Sequence, residues 1–164
     1  MKGTFEVKSV EETWALAREL AKELKPGDVV CLEGDLGAGK TTFTQGLAAA
    51  LGVSGRVTSP TFCIVQEHAA VPQSPDIPTS QHPNTPTPKH PNASPIPLLV
   101  HMDLYRLHDE ADVEAIGWED YLARGALMVV EWPERAGSLI PATARHLVFT
   151  HLDGEENRRV QIDN

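Results

Sequence analysis

The chain has little with which to grip a polyanion or enter a bilayer. Its 164 residues carry a formal net charge of −9, with 14 Lys and Arg against 23 Asp and Glu, and no dense basic block. Proteins that bind nucleic acid directly neutralise phosphates with a basic face, so the composition argues against direct binding, while a role in an RNA pathway through basic partners stays open. Aromatic residues make up 5% of the chain and are nowhere interleaved with basic ones, which gives no platform for stacking single-stranded bases. No stretch has the apolar length of a membrane span, and Met1-Lys-Gly-Thr-Phe-Glu-Val7 lacks the apolar core of a signal peptide. No membrane association is expected. Cysteine is nearly absent. Cys31 and Cys63 each sit in an apolar, strand-like run without metal-ligand spacing, so both are expected as buried reduced thiols in a cytoplasmic protein.

What is present suffices for one ordinary domain over residues 1–164. Ser9-Val-Glu-Glu12 has the form of a capping box, with Ser9 as N-cap and Glu12 reaching back to its amide. Trp14, Leu16, Ala17, Leu20, Ala21 and Leu24 follow at helical spacing until Pro26-Gly27 stops the run. Val29–Leu32 reads as a buried strand, and Thr41–Leu51 as a helix ended by Gly52. Residues 56–67, with Phe62, Ile64 and Val65, read as a further strand. From 70 to 97 prolines recur every few residues among Ser, Thr, Asn, Gln and His, a composition that predicts a flexible Pro-rich insertion loop. Thr61–Glu67 and Leu98–Asp103 are expected to pair across that insertion. Asp109 should cap a helix through Leu122, Ala126–Val130 should form a second buried strand ending at Glu131, and His146–His151 with Arg159–Ile162 should form a terminal hairpin around Asp153-Gly154.

The chemistry concentrates between the first buried strand and the helix after it. Gly34-Asp35-Leu36-Gly37-Ala38-Gly39-Lys40-Thr41 fits the phosphate-loop pattern G-x-x-x-x-G-K-[ST], and Thr42 follows. Glycines let successive amides point into one concavity, and the next helix offers its positive end to the same anion. Lys40 would reach the β and γ phosphates as a point charge, and the Thr41 hydroxyl would ligate Mg2+. ATP and Mg2+ are therefore the expected ligands, bound along Asp35–Thr42. Such a loop needs an acid at the end of a buried strand, and Glu131 meets that description. Asp103 also closes an apolar strand. Its spacing allows magnesium binding, orientation of an attacking water, or a cap on the next turn. The histidines are scattered without ligand spacing; His82 and His90 fall in the Pro-rich segment and read as solvated. Trp118 and Trp132 read as packing residues.

The order of these pieces resembles the TsaE family, the small ATPases of bacterial tRNA threonylcarbamoyladenosine synthesis. The matching segments are Gly34–Thr42, Val57-Thr-Ser-Pro-Thr-Phe62, His101-Met-Asp-Leu-Tyr-Arg-Leu107, Glu114-Ala-Ile-Gly-Trp118 and Val130-Glu-Trp-Pro-Glu-Arg135. The resemblance implies an α/β P-loop NTPase-like three-layer sandwich with a mixed central sheet. It implies that Glu131 holds magnesium, that Asp103 serves ATP turnover together with Lys40, and that residues 58–61 form a switch-like segment near the γ-phosphate. It also implies that Thr13 lies near the adenine and that Trp132 is functionally sensitive. The implied partners are TsaD and TsaB, the pair that transfers a threonylcarbamoyl group to adenosine 37 of tRNA, with tRNA contacted only through them. The long Pro-rich segment departs from the family, where this connection is short.

Two rival readings use the same loop. A small-molecule or nucleotide kinase would need an arginine-bearing lid, whereas the one long insertion holds Lys89 and no arginine. A nucleotide-gated scaffold with little turnover would need no arginine finger, for which Arg106 and Arg135 are the candidates. A GTPase is disfavoured because no Asn-Lys-x-Asp segment occurs.

Overall fold

A computed structural model describes residues 1–53, 55–60, 63–70, 96–154 and 157–163. Thr61 and Phe62 of the expected strand, and residues 71–95 of the Pro-rich segment with His82 and His90, lie outside the described residues. The elements run β1 (Gly3–Val7), α1 (Val10–Ala21), β2 (Val29–Glu33), α2 (Lys40–Ala50), β3 (Val65–Ala69), β4 (Leu98–Asp103), α3 (Glu110–Ala115), α4 (Trp118–Ala123), β5 (Leu127–Glu131), β6 (Arg145–His151) and β7 (Arg158–Asp163).

The strands form one seven-stranded mixed sheet in the order β1-β7-β6-β2-β5-β4-β3. Its middle, β6-β2-β5-β4, is parallel, while β7, β1 and β3 add antiparallel margins. Helices cover both faces of the middle strands, which explains why β4 and β5 are apolar runs buried throughout rather than alternating patterns. On one face Leu16, Leu20, Phe43 and Leu47 from α1 and α2 meet Val30, Leu32, Leu99 and Val129. On the other, Val113 and Trp118 meet Cys31, Val100, Met128 and Val130. The expected three-layer α/β architecture is the one found. The parallel pairing of β2, β5 and β4 carries their C-terminal ends to one edge, where ligands bind in open α/β sheets.

Several local expectations change. Ser9 does cap α1, accepting from the Glu12 amide at 3.2 Å, but the Glu12 carboxylate accepts from the Lys8 amide at 2.7 Å rather than from that of Ser9. Trp14 is 36% exposed and lies off the buried stripe. β1 has no counterpart in the sequence reading; Thr4-Phe5-Glu6-Val7 does alternate polar with apolar, but the run is short, and its place is set by pairing with β7. The single helix expected from Asp109 to Leu122 is two, because Gly117 takes φ 93° between them. The strand expected from residue 56 begins at Val65, because the Cys63 and Ile64 amides both donate to the Pro60 carbonyl at 2.9 Å and form a turn. Cys63 is consequently exposed, and only Cys31 matches the expected buried thiol. At the rims of the Pro-rich segment, Ala70 donates to the Pro97 carbonyl at 3.1 Å, and Ile96 is 1% exposed within the core. Among the described residues no helix is long and apolar enough to cross a membrane.

Candidate functional site

β2 ends at Glu33, and the chain turns away from the sheet at Gly34, whose φ is 131°. A Cβ there would lie 2.4 Å from the Phe149 carbonyl oxygen on β6, so the turn can leave the sheet only at glycine. The loop re-enters helix at α2, where Gly39 (φ 106°) is the N-cap and makes no side-chain capping bond. The first amides of α2 are thus left to any anion placed before them. Lys40 Nζ folds back over the loop, donating to the carbonyls of Gly34 (2.6 Å) and Asp35 (3.0 Å).

A cavity of about 580 Å³ opens beside this turn. Leu36, Gly37, Gly39, Lys40, Thr41 and Thr42 form one wall; Asp103, Tyr105, Glu131 and Trp132 face them, with Ser59 at the margin. Ala38 is 1% exposed and serves the core instead, and Asp35 borders a neighbouring hollow with Gly34 and Lys40. Thr13 is 6% exposed, and its hydroxyl donates to the Ser9 carbonyl at 3.0 Å. It lines a second cavity of about 340 Å³ with Gly37, Gly39, Thr42 and Arg158, so the two hollows meet across the loop.

The acids come from neighbouring strand ends. The parallel register pairs Asp103 of β4 with Glu131 of β5. Both are buried, at 8% and 5% exposed. Glu131 Oε1 is 2.9 Å from Nε2 of His101, and its Oε2 is 3.7 Å from Lys40 Nζ. Asp103 accepts from the Tyr105 amide at 3.1 Å and so caps the 3-10 turn Leu104–Arg106. The capping role is therefore present, and the same side chain still lines the larger cavity. Among the described residues no three His, Cys, Asp or Glu side chains cluster as a protein-only metal centre. The lining of the cavity includes the Thr41 hydroxyl and the Asp103 and Glu131 carboxylates, oxygen donors that suit a hard cation sharing its sphere with phosphate and water.

Trp132 does not pack into the core as the sequence suggested. It has φ 59°, is 41% exposed and leans on Tyr105 with ring centroids 4.9 Å apart. A left-handed tryptophan directly after a buried acid is held there against a cost of order 1–3 kcal/mol. Trp118, by contrast, is fully buried. Arg106 and Arg135 are not among the residues lining either cavity. Two further residues escaped the sequence reading. His101 is fully buried against Glu131; a lone polar residue inside Leu98-Leu-Val-His-Met102 was the available signal. Arg158, 3.4 Å from the Gly37 carbonyl oxygen, comes from a hairpin strand that carries no local sign of proximity to the loop.

Comparison with known proteins converges on one family. The model of the threonylcarbamoyl adenosine biosynthesis protein TsaE matches residues 7–160. The tRNA threonylcarbamoyladenosine biosynthesis protein TsaE of Bacillus subtilis is 37% identical over 150 residues, spanning 92% of this chain and 78% of that protein. The protein of the same name from Mycobacterium tuberculosis is 35% identical over 156 residues, covering 92% and 76% respectively. The crystal structure of Bacillus subtilis YdiB superposes with a TM-score of 0.68 at 30% identity, over 99% of this chain and 84% of that one. The family model and the curated relatives lead to the same place, and the chain belongs to the TsaE family of tRNA threonylcarbamoyladenosine biosynthesis proteins.

Proposed function

We propose that this chain is the Mg2+-dependent, ATP-binding and ATP-hydrolysing component of tRNA threonylcarbamoyladenosine synthesis, acting in the cytoplasm with the TsaD–TsaB pair. One observation carries the reading: Glu131 is buried at a strand end between His101 and Lys40, paired in register with Asp103, across a cavity from an uncapped glycine-loop helix. A solvated strand-end carboxylate has no need of that burial. Residues 35–42 would hold the phosphates through their amides, with Lys40 as the point charge. Thr41 and Glu131 would hold the ion, and Asp103, anchored through its capping bond, would orient water as a hydrogen-bond acceptor. Bound magnesium supplies charge neutralisation across the phosphoryl oxygens. Thr13, on the far side of the loop, would border the base.

Among the described residues that line the larger cavity the one cation is Lys40, which favours slow turnover alone and stimulation by partners. The net charge of −9 supports contact with tRNA through those partners only. Nucleoside analysis of tRNA from a strain whose sole copy carries Lys40→Ala tests the reading. Loss of threonylcarbamoyladenosine is expected. Normal modification would overturn it and favour a kinase on the same scaffold, and failure to capture TsaD and TsaB with ATP present would remove the partner assignment.

A further inference from the structure

β4 is buried at all six positions, and on its α2-facing side the residue between Leu99 and Asp103 is His101. It is 0% exposed and pairs in register with Val129, one step below the Asp103–Glu131 pair. Leu99, Leu127 and Val129 make this an aliphatic layer of the core. A leucine would fill such a place without burying a polar ring, so a histidine here needs a compensating bond. It has one: Nε2 to Glu131 Oε1 at 2.9 Å, while Nδ1 is buried and has no hydrogen-bond partner among the described residues. A carboxylate can only accept, so the proton of this bond sits on Nε2. With Oε1 engaged, Oε2 is the oxygen left on the Lys40 side, 3.7 Å from Nζ.

We propose that His101 is a positioning residue: its Nε2–H fixes the Glu131 carboxylate so that Oε2 alone is presented to the cavity as a metal ligand. The inference rests on the reading of Glu131 as the magnesium carboxylate and extends it. Outer partners of this kind orient a ligand and withhold one of its atoms, and their removal costs about 10- to 100-fold in metal affinity. A residue that merely packed would affect metal-free and metal-loaded binding alike.

The test has two arms. In the first, ring nitrogen shifts of 15N-labelled, nucleotide-free protein should show a proton on His101 Nε2; an Nε2 without a proton overturns the proposal, whatever the variants do. In the second, ATP binding is titrated with Mg2+ and separately with EDTA for wild type, His101→Leu and His101→Gln. His101→Leu should weaken binding with Mg2+ about 10- to 100-fold and leave binding in EDTA unchanged, and His101→Gln, which keeps a donor, should restore most of the loss. Equal weakening in both titrations, or none, overturns the positioning role. If wild type binds ATP no better with Mg2+ than with EDTA, the reading of Glu131 as a metal ligand itself fails, a result distinct from an indifferent leucine variant.

Discussion

Replacing Gly34 with alanine should make the protein easier to unfold even when no nucleotide is present. The new methyl would lie 2.4 Å from the Phe149 carbonyl oxygen and 3.1 Å from its Cβ. The obstacle is largely backbone of β6, which is paired on both sides and cannot yield as a side-chain tip can. Backbone strain from the positive φ and overpacking against the strand each cost about 1–3 kcal/mol, giving a total of about 4 kcal/mol. For a chain of this length that lowers the melting temperature by about 8–16 °C. Gly37, three residues on, is the internal control. It too has positive φ, 78°, yet an added Cβ meets nothing within 4 Å, so Gly37→Ala should cost about 1 kcal/mol, or about 2–4 °C. Calorimetry of both variants without nucleotide decides the matter. Equal shifts, or a larger one for Gly37→Ala, would refute the division of the loop into a packed exit and an open cradle.

Three further outcomes are expected. Burial pushes the Cys31 thiol up to about 12, while Cys63 is exposed, so a thiol reagent at neutral pH should modify one cysteine in native protein and two after denaturation; two fast thiols in the native protein would contradict this. Ile96→Ala, at 1% exposure, should cost about 2–5 kcal/mol in a denaturant melt, whereas a neutral result would place Ile96 outside the core. Glu67 is held below its ordinary carboxylate range chiefly by the Arg124 hydrogen bond, so that stabilisation is complete above the unfolded value and is lost as pH falls through the folded one. The melting-temperature gap between wild type and Arg124→Ala should therefore be present at pH 7 and close in acid; a constant gap would mean that packing, not charge, ties β3 to α4.

The parts of the fold that could be read from the sequence were those with local causes. Val29–Leu32 and Ala126–Val130 are uninterrupted apolar runs because both faces of their strands are covered, and burial on two faces leaves a mark in composition alone. Ser9 and Asp109 announced helix starts because each accepts from an amide three residues on. The turn after β2 was legible because glycine is required where the chain leaves the sheet, as the Phe149 contact at Gly34 shows. The illegible parts depend on partners distant in the chain. β1 exists by virtue of β7, and Arg158 reaches the loop across 121 positions. His101 gains its role from a carboxylate 30 residues away. Trp132 looked like core because tryptophan usually packs, and the left-handed turn that throws it toward the cavity has no signature in residue type.

Magnesium-dependent ATP hydrolysis by Glu131→Gln, measured with TsaD and TsaB present, bears most directly on the proposed activity. Glutamine keeps the side-chain shape and can still accept from His101 Nε2, so the fold should hold while the charge beside Lys40 is lost. Turnover should fall at least about tenfold, equivalent to about 1.4 kcal/mol of barrier, with a melting temperature close to that of wild type. Equal hydrolysis rates at saturating Mg2+ would contradict the assignment of Glu131 and return the loop to a phosphate cradle without a metal site.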